Sequence, residues 1–165
     1  MNSITEENGT GSAQAGEAKI KMFRNVIRGC ALILGVMFFV MPLIQCAQNN
    51  SLNASGWEIA TNTGDLFNES NEPGNPLAFV LLIAPIALLI VTFASKSFAL
   101  LRNVSIAGLL IKIAFMVVAT IQMRELDGLF ELTGFNWLVL VLYAGLGAFS
   151  HYCNMLSRKR PPCTS

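Results

Sequence analysis

Four long apolar runs separated by polar connections dominate the chain. They are GCALILGVMFFVMPLIQCA at 29–47, LAFVLLIAPIALLIVTFAS at 77–95, NVSIAGLLIKIAFMVVATIQM at 103–123 and FNWLVLVLYAGLGAFSHYCN at 135–154. None alternates polar and apolar positions with a period of two, so membrane-barrel strands are not indicated. At a rise of ~1.5 Å per residue, ~20 apolar residues match a hydrocarbon layer of ~30 Å. A segment surrounded by lipid must satisfy its own backbone hydrogen bonds, which a helix does within one run. The pattern therefore predicts an all-α membrane protein built as a bundle of four transmembrane helices, with one long connection at 48–76.

Details inside the runs refine this. Pro85 removes a helical hydrogen bond and predicts a kink at mid-depth of the second span, and Pro42 predicts a bend at the outer end of the first. In the fourth span, Ala144, Gly145 and Ala148 form a stripe of small residues that lets helix backbones approach, a candidate packing face within the bundle or against a second copy. Trp137 marks an aromatic belt at the start of that span.

Composition supports the membrane reading. The 165 residues are 53% hydrophobic but only 13% charged, whereas a soluble domain is about a quarter charged. The charges also have a side. Lys19, Lys21, Arg24, Arg28, Lys96, Arg102, Arg158, Lys159 and Arg160 fall on one face of the predicted topology, and Arg124 alone on the other. Basic residues are retained in the cytoplasm, so both termini are expected there. The chain then divides into a disordered cytoplasmic segment 1–18, poor in large apolar groups, a transmembrane domain 19–155 and a basic cytoplasmic tail 156–165. A cleaved signal peptide would carry its charges nearer the start and a shorter apolar run, so the first span reads as an uncleaved anchor.

The outer loop 48–76 is acidic, and Trp57, Glu58, Asp65 and Glu69 are its candidate interaction surface. Trp57, Ile59 and Ala60 are expected to form a short element resting on lipid headgroups. Asp65, Asn68 and Glu69 do not have the spacing of a calcium loop. Asn49, Asn53 and Asn68 each begin an N-x-Ser sequon, which matters where the source glycosylates. Cys46 is the one cysteine near this face, which leaves no outer disulfide; Cys30, Cys153 and Cys163 lie toward the other side. The preceding LIQ resembles a bacterial lipobox, making Cys46 a candidate lipidation site, although Gln45 stands where a small residue is expected. With one histidine, His151, and scattered cysteines, neither a metal site nor a cofactor site is expected.

The third span carries a lysine, Lys112, ten residues beyond Arg102 and so ~15 Å deeper along a helix. A charge at mid-membrane costs roughly 3 kcal/mol on insertion scales. The expected relief is a side chain leaning toward the helix N-terminus and snorkelling to the cytoplasmic face, with Tyr143 of the fourth span receiving the ammonium. The alternatives are a docking point for another subunit's carboxylate or part of a polar pathway. No Asp or Glu lies within any span to complete a proton relay.

The stretches PLIQC, NASGWEIATNTG and GNPLAFVLLIAPIALLIV, within residues 37–95, resemble small four-span bacterial integral membrane proteins. In these, a first helix ends near a cysteine and a Ser-Gly-aromatic-acidic-aliphatic-Ala stretch precedes the second helix. The resemblance implies architecture and no defined activity. Claudin-like tetraspan proteins share the topology and a long first outer loop, but carry paired cysteines there that this chain lacks. The sequence shows no nucleophile with a base, no paired intramembrane carboxylates and no nucleic-acid footprint. The expectation is a non-enzymatic interaction, accessory or assembly subunit in a membrane, the cytoplasmic membrane in a bacterial source. Its partners would be the bilayer and other membrane subunits or itself. The alternative is an oligomeric transporter or channel with Lys112 in its passage.

Overall fold

The computed structural model describes residues 7–49, 51–64, 74–125 and 129–158. In order, the elements are helix α1 (Glu7–Val40), strands β1 (Pro42–Cys46) and β2 (Asn53–Ser55), helix α2 (Gly56–Thr61), a 3-10 turn at Pro76–Phe79, helices α3 (Val80–Ala94) and α4 (Phe98–Glu125), strand β3 (Phe130–Leu132) and helix α5 (Phe135–Arg158). Four stretches, Ala18–Val40, Pro76–Ala94, Phe98–Glu125 and Phe135–Ser157, are long and apolar enough to cross a membrane. Less than a third of each is buried within the protein. The outward faces, with Leu32, Ile86, Leu110 and Val141 among them, are exposed and apolar. Such a surface is stable against acyl chains and not against water.

The helices pack in a ring, α1 on α3, α3 on α4, α4 on α5 and α5 back on α1. Ile27, Ala31 and Leu34 of α1, Ala84 and Leu88 of α3, Leu101 of α4, and Tyr143 and Leu146 of α5 share the core. Gly108 sits where α3, α4 and α5 meet: a Cβ there would lie 2.5 Å from Tyr143 Cε1 and 2.8 Å from the Ala84 Cβ. The stripe Ala144, Gly145 and Ala148 is exposed, so it is not a packing face within the bundle. Gly147, one position round the helix, is the buried small residue that faces α4: a Cβ there would lie 3.9 Å from Ile106 and Ser105.

The first span differs most from expectation. It lies at Ala18–Val40 and not at 29–47, because the helix stops before Pro42. Proline cannot donate to a helical carbonyl and crowds the residue before it out of helical geometry, so Pro42 ends the helix where a bend was expected. At its other end, α1 begins at Glu7, so the backbone of residues 7–18, expected to be disordered, is helical: extending an existing helix costs far less than nucleating one. Pro85, by contrast, is accommodated inside α3, which continues to Ala94.

Beyond Pro42 the all-α expectation fails locally. β1 is the centre of a three-stranded antiparallel sheet in the order β2-β1-β3. Ile44 faces Ala54 on one side and Leu132 on the other, and Gln45 Nε2 donates to Glu131 Oε1 across the β1–β3 pair at 2.5 Å. The register slips between Pro42 and Ile44, leaving Leu43 as an extra, bulged residue. The sheet leads into α2, the short element expected around Trp57. Ser55 caps it reciprocally: its hydroxyl accepts from the Glu58 N–H at 3.3 Å, and the Glu58 carboxylate accepts from the Ser55 N–H at 2.7 Å. Trp57 packs between Phe39 of α1, tilted against it at a centroid distance of 5.5 Å, and Phe79, edge-on at 5.8 Å.

At the end of the bundle away from the sheet, Arg24 and Arg28 are one turn apart on α1 and reach the last carbonyls of α3. Arg24 Nη2 donates to the carbonyls of Thr92 and Ser95, and Arg28 Nη2 donates to Thr92 at 3.0 Å, its guanidinium 4.1 Å from the Phe93 ring centroid. Thr92 lies in the last turn of α3 and Ser95 caps it, so the paired guanidiniums satisfy carbonyls left open at the helix end and neutralise its negative dipole.

Candidate functional site

The buried polar residues Lys112, Thr133 and Asn136 gather where the sheet meets the helices, and each is less than a twentieth exposed. Their placement follows from the α4–α5 hairpin. Gly108 lies against Tyr143, and Gly147 against Ser105 and Ile106, so Lys112 stands opposite the residues just before Tyr143. Its ammonium donates to Asn136 Oδ1 at 2.7 Å. Asn136 lies in the first turn of α5, toward the sheet.

That contact corrects two expectations about Lys112. The side chain leans toward the sheet end of the bundle and not toward the N-terminus of its helix, and its hydrogen-bond partner is Asn136 and not Tyr143. The hydroxyl of Tyr143 has no hydrogen-bond partner among the described residues; its ring is spent on packing against Gly108. The aromatic neighbour of the ammonium is Phe115, 5.0 Å to the ring centroid. A carboxamide oxygen is a better partner than a phenol at this depth, since it accepts without needing to place a proton elsewhere.

Asn136 extends the network into the sheet. Its Nδ2 donates to the Leu43 carbonyl at 2.7 Å and to the Thr133 carbonyl at 3.0 Å. Thr133 donates its N–H to the same Leu43 carbonyl at 3.1 Å and its hydroxyl to the Pro42 carbonyl. Lysine can only donate and carbonyls can only accept, so the chemistry fixes which end of the carboxamide faces which group. The Leu43 carbonyl accepts from the Thr133 N–H in continuation of the β1–β3 pairing, and its second lone pair receives Asn136. Four pieces of chain are thus tied together: α4, α5, the turn before α5 and the strand that follows α1.

Beside the ammonium lies a space of about 30 Å³, bordered by Phe38, Met41, Leu43, Lys112, Phe135 and Tyr143. That is the scale of one or two water molecules. It is bounded mainly by apolar side chains and does not hold a substrate-sized group. Among the described residues, no three of His, Cys, Asp and Glu come together as a metal-binding group.

The other candidates are dispersed. Trp57 and Glu58 lie on α2, Glu58 engaged in the Ser55 cap; Asp65 and Glu69 lie outside the described residues. Cys46 is a free thiol at the end of the central strand, its N–H donating to the Leu52 carbonyl at 2.8 Å. Asn136 and Thr133 were not singled out by sequence. The signal that points to Asn136 is depth: folding α4 and α5 as a hairpin brings it within a lysine side chain's reach of Lys112. Comparison of the chain with family models, curated proteins and solved structures finds no match.

Proposed function

We propose that this chain is a non-enzymatic, multi-pass membrane protein whose sheet and α2 form an outward-facing recognition surface, acting as an accessory or assembly subunit. Both termini would then lie in the cytoplasm. Basic residues support the sidedness: Lys19, Lys21, Arg24, Arg28, Lys96 and Arg102 lie at the end away from the sheet, and Arg124 at the sheet end.

The observation that carries the reading is the use made of Lys112. A lysine serving a passage needs water or ions along it, but Lys112 is 2% exposed and its ammonium is bound to Asn136, beside a space of about 30 Å³. Its role is to hold the sheet in a fixed pose on the bundle, and a fixed pose suits recognition. Purified protein in liposomes should show no anion flux above protein-free liposomes. A photo-crosslinking amino acid at Trp57, exposed on α2, should give discrete adducts in native membranes. Flux that Lys112→Leu abolishes would overturn the proposal in favour of a pore.

A further inference from the structure

At the end away from the sheet, a groove of about 490 Å³ runs between α4 and α5. Its apolar stretch is bordered by Ile106, Tyr143, Gly147 and Ala148, and its mouth by Arg102 and His151. The groove exists because α5 presents small residues here, so its backbone stays low while Ile106 rises beside it. A Cβ at Gly147 would only just reach van der Waals contact, 3.9 Å from Ile106. From His151 to Tyr143 the trough runs eight residues along α5, ~12 Å into the membrane span.

The mouth is cationic and unbalanced. Arg102 Nη1 lies 3.5 Å from His151 Nδ1, while its Nε and Nη2 rest on the neutral Asn103 Oδ1 at 3.2 and 3.0 Å. Among the described residues no carboxylate meets Arg102. A planar guanidinium without a counter-ion, set at the top of an apolar trough, complements an anion attached to a hydrocarbon chain. A second copy of the chain is a poorer occupant. In one membrane both copies share an orientation, so a symmetric contact through this groove sets two Arg102 side chains against each other at the same depth.

We propose that the α4–α5 groove holds one anionic phospholipid, its phosphate on Arg102 and His151 and an acyl chain along Ile106, Gly147 and Ala148. The assignment needs the helices to cross a bilayer but is independent of which side the sheet faces.

Native mass spectrometry of the full chain with phosphatidylglycerol and phosphatidylcholine of identical acyl chains tests it. The wild type should retain phosphatidylglycerol in preference. Arg102→Gln should weaken phosphatidylglycerol retention about fivefold, the effect of one cationic group near an anionic headgroup, and leave phosphatidylcholine unchanged. Gly147→Leu fills the trough and should reduce retention of both lipids; Ala148→Leu, at an exposed position, provides the same obstruction if Gly147→Leu does not fold. Equal retention of the two lipids by the wild type, or an unchanged preference in Arg102→Gln, overturns the proposal. So does displacement of the lipid by inorganic phosphate at headgroup-equivalent concentration, which marks a simple anion site. A Gly147→Leu protein with lipid retention intact but an altered oligomeric state assigns the groove to a second copy and overturns it too.

Discussion

Asn136→Leu should destabilise the folded protein by about 3 kcal/mol or more, and Lys112→Met by about 1 kcal/mol. The inequality comes from what each change leaves behind. Leucine at 136 has nearly the same volume, but it strands a buried ammonium and withdraws a donor from the Leu43 and Thr133 carbonyls. Methionine at 112 removes the charge itself, so the cost of burying it goes too, and what remains is one carboxamide oxygen without its donor. Combining the two should give a protein more stable than Asn136→Leu alone, because the second change removes the group the first one stranded. Unfolding of the purified variants in mixed detergent micelles measures all three. Equal losses for the two single variants, or simple additivity in the double, would mean that Lys112 and Asn136 are neighbours without being partners.

Gly108→Ala should cost about 2 kcal/mol, and Gly108→Leu more, because an added group is driven into helices on two sides. The crowding at Ala84 cannot be relieved by a rotamer change, since the atom 2.8 Å away is itself a Cβ fixed to the α3 backbone. The Tyr143 ring edge at 2.5 Å can move, but only within a site where that residue is 3% exposed. Tyr143→Leu should therefore recover part of the loss from Gly108→Ala and not all of it. Gly145→Ala is the internal control: a Cβ there meets nothing within 4 Å, so it should stay within about 0.5 kcal/mol of the wild type. A Gly145→Ala loss as large as that of Gly108→Ala would place the helix contact on the wrong face of α5.

The two predictions also show what could be read from the chain alone. Three of the four helices long enough to span were legible within a few residues, because a continuous apolar run leaves helix as the form that satisfies its backbone in lipid. The first was misplaced because hydropathy does not distinguish the end of a helix from an apolar strand. PLIQC, with Leu43, Ile44 and Cys46, prolongs the apolar run past the helix, and Pro42 is the residue that signals the break. The sheet itself was not legible. Its strands have five, three and three residues, too few for an alternating pattern, and β3 joins β1 across the intervening α3 and α4. The polar centre was half legible. Lys112 stood out by its charge, while Asn136 was hidden by lying at the start of a span, where an amide is unremarkable. Tyr143 was the more conspicuous polar group nearby, yet the hairpin register places it against Gly108. Composition likewise identifies small residues, but only the helix phase tells buried Gly147, which faces α4, from Ala144, Gly145 and Ala148, which are exposed and so do not pack within the bundle.

In the proposed arrangement the four apolar helices cross a membrane with the sheet outside. Labelling with a membrane-impermeant maleimide checks this arrangement in a background lacking the four native cysteines. With cells intact, a cysteine at Asn53, exposed on β2, should react, and one at Lys19, exposed near the other end of the bundle, should react only after the membrane is permeabilised. Labelling of the Lys19 position in intact cells, with the Asn53 position protected until permeabilisation, would contradict the account.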